Sequence, residues 1–205
     1  MKRSFNLIRL AAVPLSLTLI SILAGSVINR VMVVELGLPG TLAGRWLAGP
    51  LLVAPVRVWL GHRSDAYPSR GLRREPYIII GAGLAGLGAA VSVSLVLRTE
   101  ALLSLGALVT LAALIVYGIG KNLTSNTFQA LLADKFEEGA PRSRAATLYE
   151  VVNMVGLIAG AGIVGATLQP YSPERLTTVV VVIGAMALLF ALFAAPRQEP
   201  RVERE

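Results

Sequence analysis

Pro76-Tyr-Ile-Ile-Ile-Gly-Ala-Gly-Leu-Ala-Gly-Leu-Gly-Ala-Ala-Val-Ser-Val-Ser-Leu-Val-Leu97 contains no charged side chain. A helix needs about 20 apolar residues to cross ~30 Å of hydrocarbon, so this stretch reads as a membrane span. Working outward, uncharged runs also cover Leu10–Asn29, Ala101–Gly120, Val151–Pro173 and Leu176–Pro196. Thr41–Leu60 is interrupted by Arg45 and Arg57, but both lie near its ends, where long side chains reach the interface. The expected fold is an all-α polytopic membrane protein with six transmembrane helices, at about 9–30, 41–60, 76–97, 105–133, 147–168 and 174–195. They form one bundle over residues 1–196, and 197–205 make a charged cytoplasmic tail whose composition predicts disorder.

Composition agrees. Hydrophobic residues make up 55% and charged residues 15%, with mean hydropathy +0.68, too apolar for a soluble domain of this length. The net charge of +7 is distributed by topology. Lys2, Arg3 and Arg9 precede the first span, Arg63, Arg70, Arg73 and Arg74 lie in 61–75, Lys135, Arg142 and Arg144 in 134–146, and Arg197, Arg201 and Arg204 in the tail. The alternate connections hold only Arg30, Arg98 and Arg175. The positive-inside rule therefore places both termini in the cytoplasm and requires an even number of spans. The basic residues imply contact with anionic membrane lipid and argue against nucleic acid as a partner.

The chain has no cysteine, which excludes disulfides, thiolate catalysis and Cys-based metal sites. The first 26 residues resemble a signal peptide, but the apolar run extends to Ile28 without a small-x-small cleavage site, predicting an uncleaved first helix. Thr41 after Pro39-Gly40 is expected to cap the second helix, Pro76 to occupy the first turn of the third, and Ser172-Pro173-Glu174 to open the sixth. Small residues recur four apart in Ala82/Gly86, Gly156/Gly160 and Ala161/Gly165, a pattern for close helix packing or a smooth groove. Two motif matches are coincidental. Gly81-Ala-Gly-Leu-Ala-Gly86 satisfies the dinucleotide fingerprint inside an apolar span with no preceding strand. Asn122-Leu-Thr124 is a glycosylation sequon inside a helix.

Lys121 is the most unusual residue. At 1.5 Å per residue it lies about 20 Å along the fourth helix from Asp134, near mid-membrane. A cation there must face the bundle interior, find an acid or backbone carbonyls, or lose its proton. Asn122, Thr124, Ser125, Asn126 and Gln129 extend a polar strip that is costly against lipid, which makes it the candidate pocket wall. Asn29, a further pocket candidate, stands with Arg30 and Glu35 at the outer end of the first helix, where salt-bridging at the mouth is expected, with a gate or a partner contact as the alternative. Arg57 is placed to snorkel or to pair with Asp65 or Glu150. His62 sits beside Arg63 in a loop and reads as a solvated side chain before a pigment ligand. No metal-spaced ligand set, phosphate loop, nucleophile elbow or catalytic carboxylate pair is visible, which points away from an enzyme.

The connection Gly61-His-Arg-Ser-Asp65-Ala-Tyr-Pro-Ser-Arg-Gly71-Leu-Arg73-Arg74 resembles the loop between helices 2 and 3 of the major facilitator superfamily, with a longer Asp-to-Gly spacing. Asp134 with Arg142 and Arg144 resembles the related motif between helices 4 and 5. The strings Asn29-Arg-Val-Met-Val-Val-Glu-Leu-Gly-Leu-Pro39 and Ala54-Pro-Val-Arg-Val-Trp-Leu-Gly-His-Arg-Ser-Asp65 are similar to signatures of the PucC/LhaA branch. Arg73-Arg-Glu-Pro-Tyr77 and Ala130-Leu-Leu-Ala-Asp134 fit as well. The resemblance spans nearly the whole chain and the N-terminal half of a twelve-helix family.

This resemblance implies a half-bundle in the bacterial cytoplasmic or intracytoplasmic photosynthetic membrane. The implied role is light-harvesting complex assembly by binding or delivering bacteriochlorophyll or chlorophyll. The expected partners are light-harvesting polypeptides or a photocomplex, and a homodimer partner or second six-helix half. It further implies that Arg57, Gly61, Asp65, Gly71, Arg73, Arg74, Asp134, Arg144 and Glu150 form a charge network biasing conformational states. A structural subunit of a photosynthetic complex, or half of a two-piece small-solute transporter, would share these features.

Overall fold

The computed structural model describes residues 2–53, 72, 74–98 and 105–198, with side chains described from Arg9 onward. Its elements are α1 (Lys2–Ser21), a π-helical turn (Ile22–Val27), α2 (Ile28–Arg30), a second π-helical turn (Val31–Glu35), α3 (Gly40–Leu47), a 3-10 turn (Gly49–Val53), α4 (Glu75–Val96), α5 (Leu105–Lys135), α6 (Ala140–Thr167) and α7 (Pro173–Ala194). Among the described residues five helices are long and apolar enough to cross a membrane, the first running continuously from Arg9 to Glu35. The described elements are thus all helical, and the chain is multi-pass. The remaining span, expected at 41–60, lies partly outside the described residues.

Burial sets the architecture. The first span has 67% of its apolar window inside the bundle and α6 only 17%, so the first span is the central helix and α6 an outer one. Two apolar clusters stack along it. One joins Leu10, Val13 and Leu17 to Ile78, Phe128, Leu131 and Ala194 at the end that holds Arg9 and Pro196. The other joins Ile28, Val31 and Met32 to Val93, Leu168 and Leu176 at the opposite end.

Helix contact rests on glycine. A Cβ on Gly120 would lie 2.3 Å from the Ala85 nitrogen, and one on Gly88 2.4 Å from the Tyr117 nitrogen. Lipid offers no hydrophobic drive for helices to associate, so α4 and α5 gain van der Waals contact by bringing their backbones together. The Thr124 hydroxyl, donating to the Ile78 carbonyl at 3.2 Å, crosses the same seam. Of the expected small pairs, Gly86 abuts Gly184 of α7, while Gly156 and Gly160 receive Leu15 and Ile22 of the first span. Gly165 meets nothing within 4 Å.

Several helix boundaries differ from expectation. The first span continues past residue 30, because Val31-Met-Val-Val remains apolar, and ends at Gly37, whose φ of 64° suits a residue without Cβ. Residues 41–60 do not begin as one continuous helix: α3 stops at Leu47, and the chain tightens to 3-10 around Pro50, which lacks the amide hydrogen a helix would use. Thr41 is not the cap of α3. That position belongs to Pro39, and no side chain satisfies it. α6, the fifth of the six expected spans, starts at Ala140 and not at 147, since Gly139 (φ 94°) turns the chain and Pro141 suits the first turn. Its polar first turns escaped a reading based on hydropathy. Ser172 does cap α7, its hydroxyl accepting from the Arg175 amide at 3.1 Å. Finally, the tail is docked at its start: Gln198 is buried, while 199–205 lie outside the described residues.

Candidate functional site

The polar face of α5 is the first feature with functional consequences. Lys121, Asn122, Ser125 and Asn126 are half-buried and Gln129 is exposed. Asn122 turns its amide back to the Gly118 carbonyl at 2.8 Å, and the Gln129 amide donates to the Ser125 hydroxyl at 3.4 Å. Such intrahelical bonds satisfy polar groups locally and leave their remaining valences available. Among the described residues no carboxylate pairs with Lys121. Thr124 departs from the expected strip: it is fully buried against α4 and belongs to the helix seam. Asn29 lies on the first span with an exposed side chain and does not join the strip.

A second cluster gathers at the end where the first span, α4, α5 and α7 meet. The Arg74 guanidinium donates to the Asp134 carboxylate at 2.7 Å, with the Arg74 side chain 11% exposed and Asp134 61%. Next to it Glu75, itself buried, accepts from the backbone amides of Arg197 (3.0 Å) and Gln198. Arg197 has φ 61°, which turns its amide and the next toward one carboxylate. Lys135 donates to the Gln198 side chain, and Arg9 donates to the Phe193 (3.0 Å) and Pro196 carbonyls and stands over the Phe193 ring. The end of α5 is closed by Arg142, which donates to the Ala133 carbonyl at 2.8 Å and pairs with Glu138 at 3.3 Å.

Of the residues expected in a charge network, the structure brings one pair together. Arg74 and Asp134 meet. Arg144 and Glu150 are exposed and make no ion pair among the described residues. Arg57, Gly61, Asp65, Gly71 and Arg73, like His62, lie outside the described residues. Arg30 and Glu35 do not pair with each other: both are exposed, and they flank Tyr171 instead.

Sequence reading missed three contacts. Glu75 entered the sequence reading only as part of Arg73-Arg-Glu-Pro-Tyr77, and the two backbone amides it accepts from lie more than a hundred residues away. Asn153 of α6 meets Thr18, whose hydroxyl also donates to the Pro14 carbonyl at 2.8 Å. The bond to Pro14 is the usual back-bond of a helical threonine to the carbonyl four residues earlier, and nothing in the sequence announced Asn153 as the second partner. The third is Tyr171, placed against the first span. Burial first, then the Glu35 carboxylate, hold its phenol above the ordinary range, and Arg30 acts in the opposite direction.

Comparison with known proteins matches residues 27–205 to the PucC protein family. A Rhodobacter capsulatus protein described as "Uncharacterized protein in puhA-bchM intergenic region" is 34% identical over 95% of this chain and 42% of its own length. The "Bacteriochlorophyll synthase 44.5 kDa chain" of the same organism is 32% identical over 97% of this chain and 45% of its own. Its "Protein PucC" is 30% identical over 95% and 44%. The chain thus spans less than half the length of these relatives, while the match covers the first span, the Arg74–Asp134 pair and the polar face of α5 alike. With five apolar helices in the described residues and a family match over most of its length, this chain belongs to the PucC family of membrane proteins.

Proposed function

We propose that the protein assists light-harvesting complex assembly by binding or delivering bacteriochlorophyll, without catalysing a covalent step. The observation that carries this reading is the polar face of α5, where Lys121 stands half-buried with no carboxylate partner among the described residues. A cation and amides on an otherwise apolar helix would orient the polar edge of a macrocycle, and surrounding aliphatic groups would accept its ring and tail. The names of the curated relatives, one a bacteriochlorophyll synthase chain and one PucC, support a photosynthetic setting. The Arg74–Asp134 pair, together with Arg57, Asp65 and Arg73, would bias the bundle between conformations. Light-harvesting polypeptides or a photocomplex are the proposed partners, and the proposed second half is another six-helix unit or a second copy.

Both termini are read as cytoplasmic, with six crossings in all. That Arg9, Glu75 and Pro196 share one end, with Glu35 at the other, supports this reading. The test is purification of the protein in mild detergent from phototrophic membranes, with absorption spectrum and mass recorded together. The expected result is bacteriochlorin in fixed ratio to the protein, lowered severalfold in Lys121→Leu at unchanged yield. A pigment-free particle paired with another six-helix chain would replace this reading with a two-piece transporter.

A further inference from the structure

The first span is π-helical over Ile22–Val27 and again over Val31–Glu35. π-helical turns inside α-helices are uncommon and concentrate at functional sites, because the widened turn shifts the side chains that follow it. Here the widened stretch faces Ala161 and Gly165 of α6, and between them lies a cavity of about 140 Å³. Its floor is apolar, formed by Ile22, Val31, Val164 and Leu168, and Arg30 and Tyr171 line its rim. A Cβ on Gly165 would meet nothing within 4 Å, so the cavity owes its width to the small residues opposite the π turn.

Three observations select an occupant. The volume falls below the roughly 300–1,000 Å³ of pockets that enclose drug-sized ligands, so a rigid macrocycle does not fit but the upper part of one flexible chain does. Arg30 makes no ion pair among the described residues and lines the rim above an apolar floor, with the Glu35 carboxylate close enough to Tyr171 to act on its phenol. The Tyr171 phenol, a hydrogen-bond donor, lines the same rim. Glu35 is exposed and does not line the cavity. The rim lies at the end of the bundle away from Arg9 and Pro196, at the level of the span ends, where headgroups stand.

We propose that this cavity binds one anionic phospholipid. Its phosphate would be held by Arg30 and the Tyr171 hydroxyl, and the upper part of one acyl chain would lie between the first span and α6. The site is separate from the polar face of α5 and does not depend on pigment binding.

Native mass spectrometry of the intact protein tests it, with phosphatidylglycerol and phosphatidylcholine of identical chains as probes. The wild type should retain one phosphatidylglycerol at about tenfold lower concentration than phosphatidylcholine, as expected for a charge-assisted contact. Arg30→Gln should bring the two lipids to near parity. Gly165→Leu, or Ala161→Leu should the first fail to fold, should abolish retention while helix content and the lipid-free melting temperature stay at wild-type values. Equal retention of both lipids by the wild type overturns the proposal, as does undiminished retention in the filled-cavity variants. Displacement of phosphatidylglycerol by millimolar inorganic phosphate would also overturn it, since it would reveal a headgroup-only anion site.

Discussion

Glu75 shows how one carboxylate can hold two distant parts of a membrane chain together. It is 4% exposed and accepts two backbone amides from the residues that follow α7. Hydrogen bonds to a charged acceptor contribute more than neutral ones, and a buried group that loses its partner keeps the desolvation cost. Glu75→Gln retains the shape and one acceptor but removes the charge, so it should cost about 2 kcal/mol of stability in detergent. Glu174→Gln, an exposed control at the start of α7, should leave the unfolding midpoint unchanged. Ser16 is the opposite case. Its hydroxyl is enclosed and has no hydrogen-bond partner among the described residues. Ser16→Ala should therefore stabilise the protein by about 1 kcal/mol, read from the same thermal unfolding.

At the scale of elements, the α4–α5 seam and the outer face of α6 make opposite demands on glycine. Gly120→Ala would drive a methyl to 2.3 Å from the Ala85 nitrogen, and backbone cannot yield as a side chain tip can. The expected loss is about 1–3 kcal/mol, as for overpacked cores. Gly162→Ala on α6 meets nothing within 4 Å and should be neutral or slightly stabilising, because it removes backbone freedom from the unfolded chain. If both substitutions cost the same, backbone contact is not what joins α4 to α5. This pair also shows what could be read in advance. Small residues at four-residue spacing announced close packing at Gly86, Gly156 and Gly160 but not at Gly120, and the expected spans match α4, α5 and α7 within a few residues. The partner of each glycine was not legible, because spacing fixes a helix face but not the helix opposite it. The start of α6 was missed for a different reason: its polar first turns carry no hydropathy signal. The π turns were missed because Ile22–Val27 has the same composition as an ordinary helix, and only its backbone differs.

Charge is unevenly distributed between the two ends of the described bundle, and the positive-inside rule turns that asymmetry into a prediction of orientation. Arg9, Arg74, Lys135, Arg142 and Arg197 stand at the end where the first span, α4, α5 and α7 converge. The opposite end has Arg30, Arg45, Arg98 and Arg175, so lysine and arginine favour the first end as cytoplasmic. The protein contains no cysteine, which makes single introduced thiols unambiguous reporters. Glu137 and Glu174 are both exposed and are separated by the single span α6, so they must lie on opposite sides of the membrane. Acidic residues contribute little to the orientation rule, so replacing them should not reverse the topology they report. Glu174→Cys should react with a membrane-impermeant maleimide in intact spheroplasts, and Glu137→Cys only after permeabilisation. The reverse pattern would place both chain ends outside the cytoplasm and move the phospholipid cavity to the inner leaflet. It would also remove the Arg74–Asp134 pair from the cytoplasmic side, where a charge network of the kind proposed has to act.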